Sequence, residues 1–183
     1  RFILFVGTIE PRKNLLSLTS AFDALVESGE ALNYDLVIAG AHGWKCQDIL
    51  KNIDDLPSRS RIHFTGFVRD EDKSALYNLA SIFVSPSFYE GFGFPSLEAA
   101  ACGVPVIASH TSSFPETVGA GALLIDPLRP DDLFRALREL LRDAPLRDKL
   151  SQRGNVCAAS FRWKSSARKT LAVFREVATR SRG

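Results

Sequence analysis

Six short apolar runs separated by segments of helical periodicity limit the folds open to this chain more than any other feature. Each run is rich in Val, Ile or Phe and has the length of a β-strand. The runs cover residues 2–6, 34–39, 61–64, 81–85, 104–109 and 122–126, and the clearest helical segments cover 15–26, 72–79, 96–101 and 131–141. Because the runs are almost entirely apolar and alternate with helices, the sequence predicts an α/β fold with a doubly wound parallel sheet.

The chain has the size of one domain. Its 183 residues, 45% of them hydrophobic, support one compact core, so we expect a single domain over residues 1–183. Residues 160–178 are predicted to form a C-terminal helix that packs on this domain or on a partner domain. Since the sequence opens directly into a strand and contains no methionine, we interpret the chain as a fragment that lacks an upstream linker or an upstream domain. The apolar stripe of the C-terminal helix consists of Trp163, Ala167, Leu171 and Phe174.

Charge and cysteine content argue against several classes of function. The net charge of +2 comes from interspersed basic and acidic residues, so we expect no nucleic-acid partner. Cys46, Cys102 and Cys157 lie far apart without a C-x-x-C pair, which indicates reduced thiols of a cytoplasmic protein. No apolar run approaches the roughly 20 residues that span a bilayer. Basic residues in the C-terminal helix leave two interpretations open, a solvated face or a contact with the inner face of a membrane.

The loop after the first strand has the pattern of an anion site. In open parallel sheets, ligands bind at the carboxyl ends of the strands. Gly7 leaves the first strand, Pro11 suits the start of a helix, and we expect Arg12 and Lys13 in the first turn of that helix. Cations there oppose the helix dipole unless an anion binds beside them, so the pair predicts a phosphate clamp. Two solvated surface cations are the alternative interpretation.

The loop after the fourth strand repeats this pattern in the stretch SFYEGFGFPSLEAAACG. Gly91 and Gly93 allow the backbone to approach a ligand closely, and Pro95 is placed to begin a helix over residues 96–102. The sequence therefore predicts a second place where free backbone amides meet phosphate oxygens or a sugar.

Two glutamates flank this glycine-containing loop. Glu90 precedes the glycines, and we expect Glu98 in the first turn of the following helix. Carboxylates accept hydrogen bonds from neighbouring hydroxyl groups, so the pair fits a ligand with a sugar on either side of its phosphates. A turn residue and a helix residue favoured by the dipole are the alternative interpretation of the two.

Four motifs, in this order, resemble the C-terminal domain of group 1 glycosyltransferases, also called glycosyltransferase family 4, of the GT-B fold: GTIEPRKNL, RIHFTGFV, SPSFYEGFGFPSLEAAACGVPVIAS and LLIDP. The resemblance runs from Gly7 to the helix that contains Trp163, and it includes the E-x7-E motif as Glu90 and Glu98. It implies a Rossmann-like domain that binds a nucleotide sugar and lacks its N-terminal, acceptor-binding domain.

The resemblance also implies roles for the charged residues. Arg12 and Lys13 would grip the diphosphate of the donor and stabilise the leaving group, with positive charge in place of a metal ion. Glu98 would bind the ribose hydroxyls, and Glu90 would meet hydroxyls of the donor sugar. We count Glu90 with Arg12 and Lys13 among the catalytic residues, but we interpret it as positioning the donor rather than as a nucleophile.

Further donor-binding residues follow from the same resemblance. The loop from Gly91 to Phe94 would face sugar and phosphate, and the residues after the third strand would lie against the base, with apolar loop packing as the alternative. We expect His42 to be a surface residue rather than a catalyst. The donor-binding residues are thus Gly91, Phe92, Gly93 and Phe94, then Phe67 and Val68, and Gly7 and Gly40 in the pocket wall.

The activity implied is a retaining hexosyl transfer in polysaccharide biosynthesis, from a nucleotide-diphosphate sugar to a glycan or lipid-linked acceptor. GDP-mannose and UDP-sugars both fit the motifs. We identify no D-x-D stretch that argues for a metal ion, so we expect neither a metal nor another cofactor. A non-catalytic nucleotide-sugar-binding module and a GT-B-like epimerase or phosphorylase are the alternatives, and we expect the isolated chain to be inactive.

Overall fold

A computed structural model describes residues 1–180 and shows one six-stranded sheet. The strand order is β3-β2-β1-β4-β5-β6, and each pair of neighbours is parallel. The predicted α/β fold with a doubly wound parallel sheet is confirmed. The strands are β1 (Phe2–Val6), β2 (Asp35–Ala39), β3 (Ile62–Gly66), β4 (Ile82–Ser85), β5 (Val106–Ser109) and β6 (Ala122–Ile125).

The five predicted helical segments, the C-terminal one included, all form α-helices within residues 1–180, and three further α-helices appear between them. The additional ones are α2, α5 and α7. The α5 helix has only four residues, and α7 contains a glycine that weakens its helical pattern. The helices are α1 (Leu15–Glu27), α2 (Cys46–Asp54), α3 (Asp70–Leu79), α4 (Phe94–Ala101), α5 (Phe114–Thr117), α6 (Pro130–Arg142), α7 (Ala144–Ser160) and α8 (Trp163–Arg180).

Helices cover both faces of the sheet and create two apolar layers. In β1, Ile3 and Phe5 point into the layer formed with α1, α2 and α6, whereas Leu4 points into the layer formed with α3 and α4. This alternation is the period of two that a strand imposes on its side chains. Because both layers exclude water, the strands are apolar on both faces.

In the described part of the chain, the C-terminal helix α8 contacts the domain only at its start. It begins at Trp163 rather than at residue 160, because α7 continues to Ser160 and the next two residues are not helical. None of the α8 residues is buried, and the ring of Trp163 stacks on that of Phe94 with centroids 6.1 Å apart. Within residues 1–180, packing on the body is thus limited to the start of the helix. None of the helices in this range combines the length and hydropathy needed to cross a membrane.

The order of the strands reverses between β1 and β4. The chain runs outward from β1 through β2 to β3 on one side, and from β4 to β6 on the other. At such a reversal the connections on the two sides lead to opposite faces of the sheet, which leaves a crevice at the carboxyl ends of the two central strands. The loops that follow β1 and β4 border this crevice.

Candidate functional site

The cations of the first loop lie in a separate turn rather than in the first turn of α1. Pro11–Lys13 form a short 3₁₀ helix, and Asn14 then adopts a left-handed conformation with φ of 55° before α1 begins at Leu15. Pro11 thus begins a helix with Arg12 and Lys13 in its first turn, as expected, but this helix is a separate 3₁₀ turn and not the start of α1. The turn at Asn14 reorients the chain, so the two cations approach the neighbouring loop instead of the α1 dipole.

Arg12 and Lys13 both form ion pairs with Glu90. Lys13 Nζ lies 2.5 Å from Glu90 Oε1, and Arg12 Nη1 lies 3.0 Å from Glu90 Oε2. The side chains of Lys13 and Glu90 are only 10% and 12% exposed, so this ion pair is largely shielded from water. Arg12 also contacts Glu10, with Nη2 2.6 Å from Oε1. The cluster thus pairs two cations with two carboxylates.

The cluster fixes the charges of its members. Burial raises the pKa of Glu90, but hydrogen bonds from Lys13, Arg12 and Ser87 outweigh it, so the pKa lies below its ordinary value. Burial lowers the pKa of Arg12, and the carboxylates of Glu90 and Glu10 outweigh that effect and raise it. Glu90 is therefore a carboxylate whose lone pairs are already engaged by donors.

Hydroxyl groups hold the loop around Glu90. Ser87 Oγ donates to Glu90 Oε1 over 2.9 Å. The Glu90 amide donates to Ser112 Oγ, and Ser113 Oγ donates to the Glu90 carbonyl, each over 3.0 Å. The sequence motifs did not point to these serines. Ser112 and Ser113 lie in a different loop from Glu90, and local spacing does not show that the two loops meet.

Asn14 connects three loops at this edge of the sheet. Its Nδ2 donates to the carbonyl oxygens of Pro86, after β4, and Pro127, after β6, each over 3.1 Å. Its Oδ1 accepts from Ser17 Oγ at 2.7 Å. Asn14 was not among the predicted site residues either, although asparagine between a basic turn and a helix is a signal for a left-handed cap.

The glycine-containing loop leads directly into α4. Gly93 has φ of 83°, and a Cβ at this position would lie 2.9 Å from the Phe114 ring, so both backbone and space require glycine. The amides of Phe92, Gly93 and Phe94 donate to no backbone acceptor within residues 1–180. Gly91 is exposed, and a Cβ added to it would meet no atom within 4 Å. The loop therefore offers unpaired backbone donors beside Glu90.

Glu98 lies in the second turn of α4, because the helix begins at Phe94, two residues earlier than predicted. Its expected place in the first turn is thus wrong. Tyr77 on α3 donates its hydroxyl to Glu98 Oε2 over 2.8 Å. Burial, followed by the charge of Glu98, raises the pKa of Tyr77 strongly. Tyr77 was not predicted from the sequence, although a buried tyrosine hydroxyl on a helix facing the sheet requires a partner.

The other expected binding residues have different surroundings. Phe67 is 74% exposed, whereas Val68 packs against the apolar layer of α3 and α4. A Cβ on Gly40 would lie 1.9 Å from the Gly7 carbonyl oxygen, so the close approach of the two strand ends accounts for this glycine without a ligand. His42 is exposed, as expected.

Comparison with known proteins identifies the class to which this chain belongs. A family profile described as "Glycosyl transferases group 1" matches residues 1–156, a range that ends within α7. The O-antigen chain mannosyltransferase B of Escherichia coli is 38% identical over 175 residues, which cover 95% of this chain and 45% of that enzyme. The described domain is therefore a glycosyltransferase domain. The chain belongs to the group 1 glycosyltransferases.

Solved structures agree with this assignment. Sucrose-phosphate synthase from Thermosynechococcus elongatus superposes with a TM-score of 0.86 at 26% identity, over 97% of this chain and 45% of that one. The C-terminal domain of a group 1 family glycosyltransferase from Francisella tularensis superposes with a TM-score of 0.76 at 25% identity, over 87% of this chain and 84% of that domain. The chain thus spans less than half the length of the E. coli mannosyltransferase and matches most of an isolated C-terminal domain.

Proposed function

We propose that this chain is the donor-binding domain of a retaining glycosyltransferase and that its donor is a nucleotide-diphosphate sugar. One observation carries the proposal. Arg12 and Lys13 converge on Glu90 at the crevice between β1 and β4, where the strand order reverses. Cations, unpaired amides and carboxylates at this place suit a ligand that has both phosphates and hydroxyl groups.

The ion pairs suggest how the diphosphate binds. Arg12 and Lys13 already approach a negatively charged group, the Glu90 carboxylate, at hydrogen-bonding distance. A diphosphate carries more negative charge and competes with Glu90 for both side chains. Release of Glu90 from these contacts frees its oxygens to accept hydrogen bonds from hydroxyls of the donor sugar. Glu90 is therefore the counterion of Arg12 and Lys13 before the donor binds, and it positions the donor sugar afterwards.

The neighbouring groups complete the proposed site. The unpaired amides of Phe92, Gly93 and Phe94 face the sugar and phosphate oxygens, with exposed Gly91 leaving access to them. Glu98 accepts from the ribose hydroxyls. The exposed ring of Phe67, with Val68 behind it, lies against the base, and Gly7 and Gly40 form part of the pocket wall.

Catalysis then rests on charge at the leaving group. As the bond between the sugar and the diphosphate breaks, Arg12 and Lys13 stabilise the negative charge that builds on the departing phosphate. The acceptor attacks from the same face, and the departing phosphate takes its proton, which retains the anomeric configuration. Glu90 acts as a positioning residue rather than as the nucleophile, because its freed oxygens accept hydrogen bonds from hydroxyls of the donor sugar.

Mannose is the sugar that we favour, and GDP-mannose is the corresponding donor. The E. coli proteins of 38% and 35% identity are named mannosyltransferases. We place the glycan or lipid-linked acceptor on a second domain of a longer protein, since the E. coli mannosyltransferase is more than twice as long as the matched region. The exposed apolar stripe of α8 suits contact with that domain, and its basic residues suit a membrane surface at the cytoplasmic face.

Calorimetric titration tests the donor site directly. The chain is titrated with GDP, UDP and ADP and their sugars in the presence of EDTA, as wild type and as Arg12→Ala and Glu98→Ala. Arg59→Ala is the matched control, because Arg59 is 40% exposed against 38% for Arg12 and likewise lies 2.6 Å from a carboxylate. Arg59 lies just before β3, so it lies at the amino ends of the strands, whereas the crevice lies at their carboxyl ends.

We expect binding of one nucleotide without metal. Loss of a hydrogen bond to a charged group costs about 1.5–3 kcal/mol, so Arg12→Ala should weaken binding by roughly one to two orders of magnitude. Arg59→Ala should leave it unchanged. Absence of binding by the folded wild-type chain, or equal losses in Arg12→Ala and Arg59→Ala, would contradict the proposed donor site.

A further inference from the structure

Tyr77 is a buried residue that contacts Glu98, the carboxylate that we propose binds the ribose. Its side chain is buried, with 2% of the residue exposed, and its hydroxyl donates to Glu98 Oε2 over 2.8 Å. Glu98 itself is exposed. The hydrogen bond therefore joins a buried donor, the Tyr77 hydroxyl, to an acceptor on an exposed side chain, Glu98 Oε2. The other oxygen of this carboxylate, Oε1, is not engaged by Tyr77.

The surroundings of Tyr77 hold its ring in place. The ring packs edge-on against Phe83 of β4, with centroids 5.7 Å apart and planes at 65°. Phe83 belongs to the strand that leads into the Glu90 loop. Tyr77 thus connects three elements of the site, since α3 carries the tyrosine, α4 carries Glu98 and β4 supplies the packing partner.

The hydroxyl remains a donor at physiological pH. Burial and the nearby Glu98 charge raise the pKa of Tyr77, so the proton stays on the tyrosine and the hydrogen bond to the carboxylate persists. Lys73, one turn earlier on α3, adds positive charge near the same carboxylate. Its pKa is raised mainly by the hydrogen bond to Asp70 and to a smaller extent by Glu98.

We propose that Tyr77 is a positioning residue that fixes the Glu98 carboxylate for recognition of the ribose hydroxyls. This inference rests on the proposed function, because it gives Glu98 the ribose as its ligand. A free glutamate side chain samples several rotamers, and ordering it on binding reduces affinity. Tyr77 orders Glu98 before the nucleotide arrives and leaves Oε1 for a ribose hydroxyl.

Ribose-dependent binding of a nucleoside diphosphate tests this role. GDP and UDP are compared with their 2′,3′-dideoxy analogues by calorimetry on the wild-type chain and on Tyr77→Phe, Glu98→Gln and the double variant. Tyr34→Phe is the control for loss of a tyrosine hydroxyl, because Tyr34 precedes β2, away from the crevice. Thermal unfolding of each variant reports the effect on stability separately.

We expect Tyr77→Phe to weaken binding of the natural nucleotide by roughly three- to tenfold, the range expected for ordering one side chain. Binding of the dideoxy analogue should be unchanged, and Tyr77→Phe should add no loss to Glu98→Gln. A structural role alone would weaken both nucleotides equally, and that result would overturn the inference.

The remaining outcomes separate this inference from the proposed function. If Glu98→Gln abolishes the preference for the ribose hydroxyls and Tyr77→Phe does not, Tyr77 has no positioning role and the donor site stands. If the wild-type chain binds none of GDP, UDP and ADP, the proposed function and the role of Tyr77 are both wrong.

Discussion

Replacement of Asn14 by alanine should destabilise the domain through two separable effects. Asn14 is buried and donates two hydrogen bonds, to the carbonyls of Pro86 and Pro127. A hydrogen bond contributes about 0.5–1.5 kcal/mol net, so loss of both removes about 1–3 kcal/mol. Alanine must also adopt the left-handed conformation with φ near 55°, which costs about 1–2 kcal/mol. Together these effects lower the free energy of unfolding by about 2–5 kcal/mol.

Asn14→Gly separates the two contributions. Glycine adopts the left-handed conformation readily but loses the same hydrogen bonds, so its loss of stability should be smaller than that of Asn14→Ala. Asn14→Asp keeps an acceptor for Ser17 and places a carboxylate against the carbonyls of Pro86 and Pro127, so we expect it to be at least as damaging as glycine.

Urea unfolding followed by circular dichroism measures these differences. The free energies are compared by linear extrapolation, with thermal unfolding as a second readout that should shift by about 2–4 °C for each kcal/mol. Because Asn14 joins the loops after β1, β4 and β6, affinity for the nucleotide should fall in the same variants. A loss below about 0.5 kcal/mol in Asn14→Ala, the size typical of neutral surface changes, would show that neither the two hydrogen bonds nor the left-handed turn stabilises the domain as described. Equal losses in the alanine and glycine variants would refute the contribution from backbone conformation.

Two further predictions concern the loop that follows β4. Because the folded-state pKa of Glu90 is depressed, its ionisation stabilises the fold above the unfolded-state pKa and this contribution is lost as pH falls through the folded-state value. Urea titrations of wild type and Glu90→Gln should therefore show a stability gap at pH 7 that narrows below about pH 4, and a gap independent of pH would contradict the assignment. Gly93→Ala should lower the free energy of unfolding by about 1–3 kcal/mol, since it combines positive φ with a close approach to Phe114, whereas Gly91→Ala has open space and should change it little. Thermal unfolding compares the two, and similar losses in both variants would show that backbone and space do not distinguish these glycines.

Some features of the site could be predicted from the local sequence, whereas others depend on contacts between residues that are distant in the sequence. The E-x7-E spacing, the basic pair and the glycines are visible in the sequence because each lies within one loop and its helix. Lys13 and Glu90 are 77 residues apart, and nothing in either local pattern shows that they form an ion pair. The same applies to Tyr77, whose helix was predicted but whose partner Glu98 lies on another helix.

Local sequence patterns were sufficient to predict the class of fold. Alternating apolar runs and helical periodicity are local consequences of burial, so all six strands and the doubly wound sheet could be predicted. Turn geometry at Asn14 and the start of α4 at Phe94 escaped prediction, because single backbone dihedral angles decide them.

The place where the charged loops meet depends on the order of the strands in the folded sheet. The strand order places β4 beside β1 and so brings the Glu90 loop against Arg12 and Lys13. The exposure of the apolar stripe of α8 within the described residues is likewise visible only in the structure. The periodicity of apolar residues indicates which side chains are buried, but the pairing of strands depends on the packing of the whole sheet. The chemistry of this crevice follows from that pairing, because the pairing brings the loops after β1 and β4 together.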